Sequence, residues 1–508
     1  MTVARTWAVA LTGIEGAPVE VEAGLSSQQP DFRIIGLPDK ALGEASQRVR
    51  NACANCGLEL PRRRLTVNLS PASLPKHGSG FDVAIAVAAL ATELAMDRDA
   101  VARTVHLGEL GLDGRLRPVP GVLPAVVAAA RAGIRRVVVP HAHREEAALV
   151  AGVEVLGAAT LADVVIWHGA AVEPVALPPV TAPRAEEPAP ERLDLADVVG
   201  QADAVDALVV AAAGGHHLLL SGPPGAGKTM LARRLPGILP PLDDAAALRT
   251  ASVRSLSGRT VRALSRTPPF EAPHHTASTA ALVGGGSRAV RPGAIARASD
   301  GVLFIDEAGE VSGSALDALR QPLESGRIEI HRVGFSASFP ARFQLVLATN
   351  PCPCGNHGVR GALCECPPSV VRRYLARLSG PLRDRIDIEL ALRRVATAQH
   401  DPVARPRTSA VAREQVRAAR ERAARRLGGT PWRLNAEVPG DWLRRGPHAL
   451  PPAVRRPLDR ALQRGVLTLR GYDRVLRVAW SIADLAGVET PTAQDVGRAL
   501  FLKRGSAA

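Results

Sequence analysis

The residues best placed to do chemistry lie between Gly222 and Thr229. The run Gly222-Pro223-Pro224-Gly225-Ala226-Gly227-Lys228-Thr229 meets the spacing G-x-x-x-x-G-K-[ST] without a mismatch. Glycines leave backbone N–H groups free to wrap phosphate oxygens. A lysine at this spacing reaches the β- and γ-phosphates of a nucleoside triphosphate, and the hydroxyl after it holds Mg²⁺. The apolar His217-Leu218-Leu219-Leu220 before the loop predicts a buried strand. Met230 to Leu235 after it predicts a helix whose N-terminus adds partial positive charge.

Gly301-Val302-Leu303-Phe304-Ile305-Asp306-Glu307 is an apolar strand ending in two carboxylates, about eighty residues after the loop. Downstream of a phosphate loop such acids have defined work: Asp306 in the Mg²⁺ shell, Glu307 as general base on the attacking water. A further strand, Gln344-Leu345-Val346-Leu347-Ala348-Thr349-Asn350, ends in an amide suited to reading a γ-phosphate. Arg385 sits between Asp384 and Asp387. It is the expected cation for the transferring phosphoryl group, offered to a neighbouring subunit. ATP and Mg²⁺ are the expected cofactors.

Six cysteines fall into two clusters, which points to metal binding or plain packing and not to a disulfide framework. Cys53-x-x-Cys56 has no second pair near it in sequence, and two thiols at a helix end is the expectation. Cys352-x-Cys354 and Cys364-x-Cys366 flank a turn-rich loop. Two such pairs can close a tetrahedral structural Zn²⁺ site; packed free thiols are the other reading.

Around this centre the 508 residues divide into segments. Residues 1–171 alternate strands with helices: strands at Trp7–Leu11, Val19–Ala23, Arg64–Leu69 and Arg136–Pro140, and helices at Asp39–Ala54, Phe81–Leu94 and Leu123–Ala132. Residues 172–192 hold six prolines between Glu173 and Pro190, the composition of a semi-extended linker about which the flanking domains can move. Residues 193–395 carry the chemistry, and 396–508 read as helical. Within the last segment Val411 to Leu427 presents Arg413, Arg417, Arg420 and Arg422, either a solvated face or a nucleic-acid surface. A net charge of +14 favours a polyanionic partner. There is no apolar span suited to a membrane and no export signal, so a cytoplasmic protein is expected.

Two resemblances follow. Leu74-Pro75-Lys76-His77-Gly78-Ser79-Gly80-Phe81-Asp82, with Gly108-Glu109-Leu110 and Gly114 to Val119, resembles the Lon-type proteolytic domain, an S5 domain 2-like α/β fold. That family uses a Ser–Lys dyad, and here Gly80 and Ala125 stand where the serine and lysine would be, which implies a scaffold and not a protease. Pro273-His274-His275-Thr276-Ala277-Ser278, Val283 to Ser287, Arg320-Gln321-Pro322-Leu323-Glu324, Asn350 to Gly355 and Ser379 to Asp387 together resemble the YifB/ComM family of magnesium-chelatase-like AAA+ ATPases.

This second resemblance covers nearly the whole chain. It implies a P-loop ATPase domain of the helix-2-insert class, a C-terminal α-helical lid, and a homo-oligomer in the form of a hexameric ring. It also implies a helicase activity that drives branch migration of DNA in homologous recombination during natural transformation. The insert would be His274 to Val290, and residues 327–335 would form a pore hairpin with His331 and Arg332 as the DNA contacts. Arg477 would be the sensor-2 arginine, with Arg474 as the alternative. Ala294, Ser299, Thr349 and Arg383 depart from the family's usual residues without removing a group that hydrolysis needs. Two other functions remain to be weighed: a chelatase-type motor, for which no D-x-S-x-S metal-adhesion motif is present, and a protein-remodelling ATPase.

Overall fold

The structure is a computed structural model that describes residues 3–36, 43–181, 193–286, 290–332, 335–359, 361–395 and 406–504.

In the first domain, β1 (Val3–Thr12) and β2 (Glu15–Ser26) form a long antiparallel hairpin. They are joined by β3 (Asp31–Ile35), β4 (Arg64–Ser70), β5 (Thr104–His106), β6 (Arg136–Pro140) and β7 (Glu154–Ala158) into one mixed sheet, ordered β3-β4-β2-β1-β5-β6-β7. Alternation sets the faces: Val19, Val21 and Ala23 of β2 and Leu65, Val67 and Leu69 of β4 are buried. Helix α1 (Ala45–Asn55) covers the sheet, as do α2 (Asp82–Leu90) and α3 (Val122–Arg131). Every residue of α2 is buried, which explains its lack of an amphipathic pattern. The first turn of the helix expected from Asp39 lies outside the described residues.

The central domain holds five parallel strands: β8 (Leu218–Ser221), β9 (Phe270–Glu271), β10 (Val302–Ile305), β13 (Gln344–Thr349) and β14 (Ile388–Ala391). Their order is β9-β10-β13-β8-β14. A separate hairpin, β11 (Arg327–Arg332) with β12 (Phe335–Pro340), stands off this sheet. Helices α4 (Ala202–Gly214), α5 (Lys228–Ile238) and α6 (Asp244–Leu256) follow in the first half of the domain. Helices α7 (Ser409–Arg426), α8 (Leu469–Ala486) and α9 (Ala493–Arg504) close the chain. Helix α8 is amphipathic, and its buried face joins the sheet's own core: Val475, Leu476 and Trp480 belong to one cluster with Leu218, Leu220, Phe304 and Val346. The C-terminal helices thus share one core with the strand that precedes the phosphate loop, packing chiefly on α4, α5 and β14.

Two expectations need revision. The arginines of α7 form neither a uniformly solvated face nor an open cationic one. Arg413 donates to the Gly237 carbonyl, Arg420 donates twice to the Ala212 carbonyl, and Arg422 donates to Asp484 O. These guanidinium groups satisfy carbonyls at the C-terminal ends of α5, α4 and α8, where helices leave acceptors without partners. Arg417, paired with Glu414 and Glu421, stays on the surface. The first and central domains also touch directly. Leu123 of α3 packs with Ala251 and Val261, its N–H donates to Ser255 Oγ, and Gly13 in the β1–β2 turn bridges to Ser338 of β12. Most of the proline-rich segment, residues 182–192, lies outside the described residues.

Candidate active site

Parallel pairing brings the carboxyl ends of three strands together, because β13 lies between β10 and β8. Register places Ser221 beside Thr349 and Ile305 beside Leu347. The residues after those ends, the phosphate loop, Asp306-Glu307 and Asn350, therefore meet above one edge of the sheet, where open α/β folds bind ligands. They line a cleft of about 400 Å³ formed by Pro224 to Met230, Asp306, Glu307, Thr349 and Asn350.

Gly225 and Gly227 adopt φ of +78° and +84°, left-handed values that turn the loop under its own amides before α5 begins. Lys228 starts α5 and its ammonium has three acceptors: the carbonyls of Gly222 at 2.6 Å and Pro223 at 3.1 Å, and Asn350 Oδ1 at 2.9 Å. Those oxygens use all three N–H donors in the places phosphate oxygens would take. Burial holds the Lys228 amine below its ordinary value, against the pull of Asp306 and Glu307. Thr229 Oγ1 donates to Asp306 Oδ2 at 2.7 Å, so hydroxyl and carboxylate lie side by side as two oxygen ligands for a hard cation. The residues present therefore fit a magnesium–triphosphate group.

Glu307 has φ of +48°, a conformation that costs a non-glycine residue of order 1–3 kcal/mol. Its N–H donates to Asp306 Oδ1 at 2.9 Å, and its carboxylate lies 3.0 Å from His275 Nδ1. His275 was visible in sequence only as part of the Pro273–Ser278 run. Nothing in its spacing points to Glu307, because the contact depends on the path from β9 toward the end of β10. Gln201 and Arg394 were also missed; they donate to the loop carbonyls of Ala226 and Pro224 and brace the loop from outside.

The other named residues lie away from the cleft. Arg385 is buried in its own chain, donating to the Pro381 carbonyl at 2.5 Å and pairing with Glu324. Arg477 is half-buried on α8 and donates to the Val438 carbonyl at 2.7 Å. Arg474 forms an ion pair with Asp387 at 2.5 Å. Burial works to raise the Asp387 carboxyl, but Arg474 and then His216 outweigh it and hold it well below the usual carboxylate range. Of the three arginines of α8, Arg474 and Arg477 are thus engaged within this chain, whereas Arg470 is exposed. His331 is exposed on β11, 3.6 Å from the Glu329 carboxylate, and the Arg332 side chain lies outside the described residues. Within the insert, residues 287–289 lie outside them too; the rest contains a short helix, Thr279–Val283.

In the first domain, Lys76 is fully buried and donates to the carbonyls of Gly36, Leu69 and Pro71, while Ser79 donates to Glu109. Ala125 is packed on α3, so no serine–lysine pair forms at this place. Cys53 and Cys56 are buried, and burial raises both thiols above their ordinary value, as expected of packing residues. The four later cysteines converge: their sulfurs all lie within 4.8 Å of one another. Among the described residues no helix is long and apolar enough to cross a membrane.

Comparison with known proteins agrees with this geometry. Residues 194–400 match the model described as magnesium chelatase, subunit ChlI. Residues 21–143 match that of subunit ChlI of Mg-chelatase, and 406–503 that of the ChlI C-terminal region. The chain is 48% identical to a protein of Mycobacterium tuberculosis over 100% of both chains. It is 42% identical to competence protein ComM of Haemophilus influenzae over 96% of this chain and 94% of that one. It is 38% identical to YifB of Escherichia coli over 97% and 95% respectively. With a phosphate loop, paired acids and an asparagine gathered in one cleft and kinship over the whole length, the chain belongs to the YifB/ComM family of magnesium-chelatase-like AAA+ ATPases.

Proposed function

We propose that this protein is an ATP-hydrolysing ring motor that acts on DNA, a helicase promoting branch migration in homologous recombination or natural transformation. The observation that carries the hydrolytic half is the convergence of Lys228, Thr229, Asp306, Glu307 and Asn350 on one cleft. In this reading the loop amides and Lys228 bind the phosphates, Thr229 and Asp306 hold Mg²⁺, Glu307 takes the proton of the attacking water, and Asn350 aligns that water. Mg²⁺ supplies charge neutralisation on the phosphate oxygens when bound. Arg385 from a neighbouring subunit and Arg477 from the lid complete the site after the lid and the ring close.

The DNA half is supported by kinship to a competence protein, by the +14 charge and by the β11–β12 hairpin, on which His331 is exposed and whose His331 and Arg332 are the proposed contacts. The family-model matches to a magnesium chelatase subunit favour a second reading, a chelatase-type or protein-remodelling ATPase without a DNA substrate. ATP turnover measured with and without forked DNA at low salt separates the two. The DNA reading expects turnover to rise several-fold, and unchanged turnover removes it.

A further inference from the structure

We propose that Cys352, Cys354, Cys364 and Cys366 bind one zinc ion, and that this ion holds the loop after Asn350 against the phosphate loop, making nucleotide affinity depend on zinc. The second part rests on the nucleotide reading of the cleft.

The sulfurs lie where a single metal would want them. Cys352 Sγ is 3.3 Å from Cys354 Sγ and 3.8 Å from Cys364 Sγ, and Cys354 Sγ is 3.7 Å from Cys364 Sγ. Thiolates about 2.3 Å from a tetrahedral zinc stand about 3.8 Å from one another. A disulfide would require two of them to close to about 2.05 Å and would leave the other pair without a role. A cluster of several metals spreads its cysteines over separate centres and so over a wider span than 4.8 Å. The backbone supports the same arrangement: His357 N–H donates to Cys352 Sγ at 3.3 Å, and Asn356 Nδ2 donates to the Leu363 carbonyl at 3.2 Å, closing the turn between the two pairs. Outer donors of this kind orient metal ligands. Four protein ligands leave no open position, so the role is structural.

The loop's placement gives that role a consequence. Cys352 is fully buried two residues after Asn350, whose side chain accepts from Lys228. At Gly355, between the paired cysteines, the chain adopts φ of +80° and lies so close to Pro224 that a Cβ there would collide with the proline ring. One end of the cysteine loop thus carries the amide that meets Lys228, and its turn rests on the second proline of the phosphate loop. With the metal gone, both contacts depend on a turn-rich segment with little core of its own.

The test uses the full chain produced with zinc in the medium, its metal content, and binding of a fluorescent non-hydrolysable ATP analogue. One zinc per chain is expected, and replacement by Co²⁺ should give the absorption of tetrahedral cobalt–thiolate. Chelation should weaken analogue binding about tenfold, as loss of one hydrogen bond to a charged group would, and added Zn²⁺ should restore it. The double variant Cys364→Ser, Cys366→Ser should lose the metal, whereas Cys53→Ser, Cys56→Ser should keep it. If the first variant does not fold, the chelated and reloaded wild-type chain decides. Absence of zinc from protein that binds the analogue normally overturns the site. Stoichiometric zinc whose removal leaves affinity unchanged overturns the coupling. A zinc-loaded chain that binds no analogue contradicts the nucleotide reading, and the coupling with it, while the metal count still decides the site.

Discussion

At the scale of single residues, the structure turns a motif into an arrangement of charges. Burial holds Lys228 below its usual ammonium value with three oxygens around it, so in the proposed reading phosphate oxygens would replace acceptors it already has. Glu307, held in a left-handed backbone conformation beside His275, is the proposed base. Glu307→Gln should therefore leave ATP affinity within about twofold and lower the turnover rate by two or more orders of magnitude, the scale of general-base catalysis. Single-turnover and filter-binding measurements on the variant check both halves. A second residue-scale effect concerns stability. His106 Nε2 and His168 Nε2 are 2.9 Å apart in the first domain, so one ring must be neutral to accept from the other. Burial depresses both, His168 to about 4. A histidine that binds its proton more weakly folded than unfolded destabilises the fold as pH drops from about 6.5 toward 4, by about 1.4 kcal/mol per unit separating the two values. The Tm should thus fall between pH 6.5 and 4.5, and less steeply in His168→Gln.

At the scale of elements, the features with local causes were legible in the sequence. The phosphate loop, the strands at Val302–Ile305 and Gln344–Thr349, the hairpin and α8 each follow from a run of residues with one period or one spacing. What the sequence did not show depends on contacts between distant segments: His275 against Glu307, the cysteine loop against Pro224, and the arginines of α7 turned inward to helix ends. A long side chain can lie on a solvated face at its Cα and still bury its charge, and periodicity records only the Cα. The seam beneath α8 belongs to the same class. Asp387 follows the arginine proposed as the finger, pairs with Arg474 of α8, lies 3.4 Å from His216 Nδ1, and accepts from the His217 N–H. It joins α8 to the central sheet and to the segment carrying Arg385. Asp387→Asn should destabilise the protein by about 3 kcal/mol, because it leaves the half-buried Arg474 guanidinium without its counter-charge. Denaturant unfolding followed at Trp480, which lies in the shared core, measures it.

At the scale of the whole molecule, the site as proposed is incomplete in a single chain. Lys228, Thr229, Asp306, Glu307 and Asn350 face one cleft, while Arg385 does not line it and is engaged with Glu324 of its own chain. A ring resolves this, since the segment carrying Arg385 would border the next subunit's cleft, and hydrolysis would require exchange of Glu324 for phosphate. The first domain shows no serine–lysine pair among its described residues and instead bridges from its β1–β2 turn to the hairpin at Ser338, so it braces the element proposed to grip DNA. The central claim, that ATP hydrolysis around such a ring moves DNA strands, is tested most directly by following a labelled three-strand DNA junction with the wild-type chain and Glu307→Gln. The account predicts that the wild-type chain converts the junction to products in the presence of ATP and Mg²⁺ and that Glu307→Gln does not. Equal conversion by both proteins, or none by a wild-type chain that hydrolyses ATP in the same reaction, would contradict it.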